Sequence, residues 1–211
     1  MTANGRLPAE VVAGLRGLAR PAARNGAPAA AAEHCDLCGR PIPDVHRHLL
    51  HLDERRIVCA CEVCRAARAG EASFRPVGTR TLWLEDFALS EELWAAFQIP
   101  IGLAFFFHNS TTGGVVGLYP SPAGATECEL HLDSWNALVA FNPILAELEP
   151  DGEALIVNRL GDPPQHAIAP IDECYRLVGL IKSTWQGISG GTAVTDAVPS
   201  FFAGLRAAAG R

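Results

Sequence analysis

Aromatic side chains are missing from the first 73 residues of this 211-residue chain. All nine Phe, four Trp and two Tyr residues lie between Phe74 and Phe202. A short segment without aromatic groups buries too little apolar surface to fold on a hydrophobic core alone. We therefore expect two regions with different sources of stability: a front part held by something other than a core, and an aromatic-rich α+β domain over residues 73–211.

Long apolar runs are also missing. The stretch Ile99–Phe107 is among the longest, and it has about half of the roughly 20 residues that a membrane-spanning helix needs. The N-terminal residues never form a continuous apolar stretch before a small-residue cleavage site, as a secretory signal would. These absences predict a cytoplasmic protein with no membrane span.

Residues 1–70 carry ten Arg against seven acidic groups, while residues 71–211 carry seven basic against sixteen acidic groups. A net charge of +3 at the front, with no aromatic ring to stack on a base, is a poor footprint for nucleic acid. No HExxH, GxGxxG or Walker pattern is present either. We expect a protein partner rather than nucleic acid, and the sequence favours a non-enzyme without deciding the question.

Seven cysteines are present, and in a reducing compartment they are not expected to form a disulfide framework. Two C-x-x-C pairs stand out, Cys35/Cys38 and Cys61/Cys64, separated by 22 residues. Two thiolates three positions apart can point at one ion, and two such pairs complete a tetrahedron. The spacing predicts one structural Zn²⁺ per chain, bound by these four cysteines.

The choice of ligands stays open at this point, because Cys59, His46 and His48 lie close by in the sequence and are alternates for one of the four positions. The choice of metal also stays open. Four thiolates hold iron in rubredoxin-like proteins, so a rubredoxin-like electron carrier is the alternative interpretation.

The sequence around the cysteines predicts local structure. Residues 46–52 and 56–60 can pair as a hairpin, and residues 61–69 can form a helix whose first turn carries the second pair. A knuckle, a hairpin and then such a helix resembles a treble-clef or zinc-ribbon finger. We expect this zinc-binding module to span residues 34–72, and residues 1–33 to be a flexible N-terminal segment carrying at most a short helix.

The rear domain shows strand and helix patterns. We expect an antiparallel sheet with packed helices. Strands are predicted over residues 101–107, 115–119, 127–130 and 153–160, and helices over 133–139, 171–185 and 200–209, with Asp133 capping the first helix. Phe105–Phe107 alternate between both faces of one strand, so at least one face needs to be covered by a helix or by a partner. We expect a docking surface for another protein there, and cover by a helix of this same chain is the alternative.

Several motifs follow one another along the chain: CDLCGRPI, HRHLL, CACEVC, IPIGLAFFFHNS, LYPSPAGATE, EALIVNRLGD and IDECYRLVGLIKSTWQGISGG. Their order resembles an uncharacterised bacterial family of about this length, whose genes often lie beside those of high-affinity uptake NiFe hydrogenases. The resemblance covers residues 35–205. It implies a role in hydrogenase assembly, maturation, stabilisation or electron transfer, with a hydrogenase subunit or maturation factor as partner, and it implies no catalytic residues.

A third hypothesis is an enzyme with its site in the rear domain, which would need a pocket that gathers polar groups such as His108, Asn109, Asn158 and Arg159.

Overall fold

Two antiparallel sheets, one of three strands and one of six, organise the structure. The computed structural model describes residues 33–185 and 191–210. Of the predicted N-terminal segment, only Glu33 falls within these residues, so its predicted short helix lies outside them. The combination of helices with antiparallel sheets confirms the predicted α+β class. No helix in the described part of the chain is long and apolar enough to cross a bilayer.

The small sheet has the strand order β2-β1-β3. Its first two strands form the predicted hairpin, in which His48 faces Cys59, and the predicted helix follows directly. A small core of Leu49, Val58, Ala60 and Phe74 lies beneath the sheet. The elements are β1 (His48–His51), β2 (Arg56–Cys59), α1 (Glu62–Arg68) and β3 (Phe74–Pro76).

The large sheet has the strand order β4-β9-β8-β5-β6-β7, and every neighbouring pair is antiparallel. Its strands are β4 (Leu82–Trp83), β5 (Leu103–Asn109), β6 (Gly114–Ser121), β7 (Gly124–Glu127), β8 (Glu153–Asn158) and β9 (Gln165–Pro170). The helices are α2 (Glu91–Ala96), α3 (Leu132–Phe141), a 3₁₀ helix (Pro143–Glu147), α4 (Ile171–Thr184) and α5 (Gly191–Ala209).

Helices cover both faces of the large sheet. On one face Phe105 and Phe107 pack with residues of α4 and α5, and on the other Phe106 packs with Trp135 of α3. The three phenylalanines are therefore buried by this same chain, at 0%, 0% and 3% exposure. The predicted docking surface at Phe105–Phe107 is wrong, because helices later in the sequence supply the cover.

The small sheet shares this packing. Leu49 faces the small core, whereas its neighbour Leu50 joins the core beneath α4 and α5, as expected for side chains that alternate along a strand. The described residues from Glu33 onward belong to one compact unit. Strand β3 lies just past the predicted boundary at residue 72 and pairs with β1. The boundary between the zinc-binding module and the rear domain therefore stays a prediction.

Several predicted element bounds are wrong. The third strand of the large-sheet meander begins at Gly124 instead of residue 127, because a tight turn from Ser121 to Gly124 brings the chain straight back. Helix α3 has His131 at its N-cap, and Asp133 lies inside the first turn. Helix α5 starts at Gly191 instead of residue 200, and Pro199 lies within it.

Candidate metal centre

The first cysteine pair lies on a tight turn over residues 35–39, here called the knuckle. The backbone N–H of Gly39 donates to the carbonyl of Cys35 at 2.8 Å, and Gly39 has a φ of +70°, a conformation that favours glycine. The knuckle is fastened to β2, since Asp36 N–H donates to the carbonyl of Cys59 at 2.9 Å and the Asp36 carboxylate accepts from Cys59 N–H at 2.8 Å. These bonds fix the position of the first two thiols.

The second pair lies at the start of α1. Cys61 is the N-cap residue, and its Sγ accepts a hydrogen bond from the backbone N–H of Cys64 at 3.5 Å. The two thiols of this pair therefore point to the same side of the helix start, towards the knuckle.

The four sulfur atoms converge. The Sγ atoms of Cys35, Cys38, Cys61 and Cys64 all lie within 4.8 Å of one another, and those of Cys38 and Cys61 are 3.8 Å apart. A tetrahedral zinc ion with Zn–S bonds of about 2.3 Å holds its sulfur ligands about 3.8 Å apart. Both the donor set and this spacing fit a zinc ion, and the four cysteines could bind such a metal.

The thiols differ sharply in acidity. Burial alone would raise the pKa of Cys35, but hydrogen bonds, mainly from the backbone N–H groups of Cys61, Leu37 and Cys38, lower it to about 6. Hydrogen bonds with Cys38 and Cys61, together with desolvation, raise the pKa of Cys64 to about 12. The low pKa of Cys35 favours its thiolate and the high pKa of Cys64 opposes the thiolate there, so a bound cation would be needed to hold Cys64 as a thiolate ligand.

The three alternate ligands form a second group. One ring nitrogen of His46, one of His48 and the Sγ of Cys59 lie within 4.8 Å of one another. A hydrogen bond to the Asp172 carboxylate raises the pKa of His48, and burial raises that of the Cys59 thiol. The structure thus places these residues beside one another rather than among the four cysteines.

The polar residues considered for an enzyme site are not gathered. Asn158 lines a cavity of about 540 Å³ between the large sheet and α5. The Asn109 side chain accepts from the backbone N–H groups of Thr111 and Thr112 and shapes the turn after β5. Arg159 pairs with Glu91 and lies over the ring of Trp94, while His108 packs edge-on against Trp135. Asn109, Arg159 and His108 therefore each have a structural role.

Two acidic residues that contact the histidines of the second group were not predicted from the sequence. Asp172, in the first turn of α4, contacts His48 from 124 positions away, and Glu33 contacts His46. Acidic residues are common in the first turn of a helix, so the local sequence around Asp172 did not indicate a contact with His48.

Fold and site together define an α+β protein with a candidate four-cysteine metal centre beside a small sheet. The chain belongs to a family of unknown function (DUF5947), which it matches over residues 34–209. Neither a curated protein nor a solved structure matches the chain.

Proposed function

We propose that this protein is a zinc-binding accessory factor of the cytoplasm, in which Cys35, Cys38, Cys61 and Cys64 hold one structural zinc ion. The observation that carries this proposal is the convergence of the four Sγ atoms within 4.8 Å. Four protein ligands fill a tetrahedral ion's coordination sphere and leave no position for a substrate. The ion therefore acts on structure.

The small size of this core supports a structural ion there. Among the described residues, four form the separate buried cluster of the small sheet, with Leu37 packed against them, while Leu50 joins the core beneath α4 and α5. Zinc binding supplies free energy that is coupled to folding in modules of this kind. The ion links the knuckle to the start of α1 and so holds together the two segments that carry the cysteine pairs.

The partner assigned to the factor is a hydrogenase subunit or a hydrogenase maturation factor. This part of the proposal rests on the resemblance to proteins encoded beside uptake NiFe hydrogenases. Because the four-cysteine site is closed, the proposed role is to bind and stabilise the partner rather than to carry out chemistry at this ion.

Metal analysis tests the zinc assignment. Elemental mass spectrometry of protein purified without added metal should find zinc and no iron, and the solution should be colourless. The variant Cys38→Ser/Cys64→Ser should contain one zinc fewer per chain than the unaltered protein, and Cys128→Ser, with a cysteine outside the cluster, should keep the full content. Iron in the protein, with visible absorption, would instead support the rubredoxin-like electron carrier.

A binding experiment tests the partner. Purified uptake-hydrogenase subunits and maturation factors from the same bacterium would be passed over the immobilised protein, with the zinc-depleted double variant as control. Retention by the unaltered protein and weaker retention by the variant are expected. Absence of retention for every hydrogenase component would refute the hydrogenase assignment and leave the zinc assignment standing.

A further inference from the structure

His46, His48 and Cys59 meet because of the register of the first hairpin. His48 in β1 lies directly opposite Cys59 in β2, and His46 precedes His48 by two positions. The two imidazole rings pack edge-on, with their centroids 4.6 Å apart and their planes 74° apart. Two imidazole nitrogens and one thiolate make a donor set that zinc binds readily.

Both histidines are held through the Nδ1 atom. His48 Nδ1 donates to Asp172 Oδ2 at 2.6 Å, and His46 Nδ1 lies 2.9 Å from the carbonyl of Pro43 and 3.2 Å from Glu33 Oε2. Metal-binding histidines characteristically donate one ring N–H to a carboxylate or carbonyl and offer the other nitrogen to the ion. The arrangement therefore leaves Nε2 of each ring as the ligand atom.

His46 supplies an independent indication. Its side chain is only 8% exposed, and its Nε2 is buried without a hydrogen-bond partner among the residues that the structure describes. A buried polar atom normally has a partner. A metal ion at the centre of the group would supply the partner that Nε2 lacks.

A cavity of about 540 Å³ adjoins the two histidines of this group. Its walls include both histidines, with Asp172, Glu173 and Arg176 of α4. An ion bound to the three protein ligands would have one coordination position left, and the cavity offers room for its occupant. Zinc sites with three protein ligands and one open position are the sites that bind water or substrate.

We propose that His46 Nε2, His48 Nε2 and Cys59 Sγ bind a second zinc ion, whose fourth position is open to the cavity for water or a small anion. This site differs from the four-cysteine centre in kind, because that centre is closed by protein ligands on all four sides. Asp172, Glu33 and the Pro43 carbonyl are positioning groups, since they act through the rings.

Zinc stoichiometry tests the proposal. The protein is saturated with zinc, desalted and analysed by elemental mass spectrometry, with circular dichroism as a check of folding. We expect two zinc ions per chain in the unaltered protein and one in His46→Ala and in His48→Ala. The matched control is His51→Ala, which removes a histidine of the same strand that lies outside the group, and it should retain two.

The outcomes separate the two sites. One zinc in the unaltered protein, unchanged in both histidine variants, overturns the second site and leaves the four-cysteine centre intact. Two zinc ions in Cys38→Ser/Cys64→Ser would instead refute the four-cysteine assignment.

Cobalt and azide test the open position directly on the unaltered protein. In the unaltered protein loaded with Co²⁺, azide should change the visible spectrum, since it can occupy the free position. The same addition should leave the spectrum of a folded, cobalt-loaded His48→Ala protein unchanged. A spectrum of the unaltered protein that is insensitive to azide overturns the open position.

Discussion

Asp172 and His48 are joined by a hydrogen bond of 2.6 Å between Oδ2 and Nδ1, across 124 positions of sequence. The bond connects the first turn of α4 to the first strand of the small sheet. Both side chains are about four-fifths buried, at 21% and 24% exposure. Because the bond fixes the tautomer and orientation of the imidazole, it ties the geometry of the proposed second zinc site to the packing of α4.

Replacing Asp172 by Ala should therefore weaken zinc binding at the second site. Loss of a carboxylate that orients a metal-bound histidine typically lowers metal affinity about 10- to 100-fold. Competition with a chromophoric chelator measures this affinity, and Asp172→Asn should fall between Ala and the unaltered protein because its amide oxygen still accepts. Asp133→Asn, on the exposed surface of α3, is the control. An unchanged affinity in Asp172→Ala would contradict a positioning role for Asp172.

Local patterns in the sequence predicted much of this structure. The helically spaced apolar positions of α4 and the run EALIVN of β8 fall within short windows, and the predicted helix and strand were confirmed. The two C-x-x-C pairs also lie within short windows, and the four sulfur atoms converge. Strand β9 was missed because its sequence, QHAIAP, has a single β-branched residue and ends in proline, so its strand propensity is low. The contact of Asp172 with His48 and the cover over Phe105–Phe107 arise only when distant segments pack together, so a local pattern could not predict them.

Arg80 and Glu153 form a second long-range pair. The guanidinium donates twice to the carboxylate, at 2.8 and 2.6 Å, and the Glu153 side chain is only 4% exposed. Breaking a buried pair by removing one partner costs about 3–5 kcal/mol, because a buried charge is left without its counterion. The Arg80 side chain is itself 35% exposed, and the Glu153 carboxylate still accepts from the backbone N–H of Glu149. Arg80→Ala should therefore lower the free energy of unfolding in urea titrations by about the lower end of this range.

An exposed pair provides the comparison for Arg80. Arg55 and Glu127 are 3.0 Å apart, but their side chains are 46% and 56% exposed. Exposed ion pairs contribute about 0–1 kcal/mol, so Arg55→Ala should change the free energy of unfolding far less. Equal losses in the two variants would show that the burial of Glu153 does not determine the cost.

Gly117 faces Phe106 across β5 and β6 and leaves no room for a side chain. A Cβ atom at this position would lie 2.6 Å from the Cys128 Sγ and 3.1 Å from two ring carbons of Phe106. Overpacking of this kind costs about 1–3 kcal/mol. Gly117→Ala should therefore lower the midpoint of urea unfolding.

Gly179 offers the matched control for Gly117. It is exposed within α4, and a Cβ atom there would meet nothing within 4 Å. Alanine is favoured over glycine in a helix interior by about 0.8–1.0 kcal/mol, so Gly179→Ala should raise the midpoint. Stabilisation by both substitutions would show that the structure around Phe106 and Cys128 accommodates a methyl group.

His166 makes the stability of the fold depend on pH. It is 8% exposed in β9 and stacks on Phe87, with ring centroids 4.5 Å apart. Burial first, and then the positive charge of Arg159, lower its pKa to about 4, whereas a histidine in an unfolded chain has a pKa of about 6.5. Between these values the unfolded chain binds more protons than the folded chain does, so the stability contributed by neutral His166 is complete above pH 6.5 and is lost as the pH falls towards 4.

A variant at this position isolates that contribution. Urea unfolding of the unaltered protein and of His166→Asn would be measured at pH 7.5, 6.0 and 5.0, and the difference between the two free energies of unfolding would be taken at each pH. Protonation of the cysteines and of the other histidines affects both chains and cancels in this difference. The unaltered protein should lose more stability between pH 7.5 and 5.0 than the variant does, because asparagine does not titrate. Equal losses in the two proteins would mean that His166 is not held neutral by its burial beside Phe87.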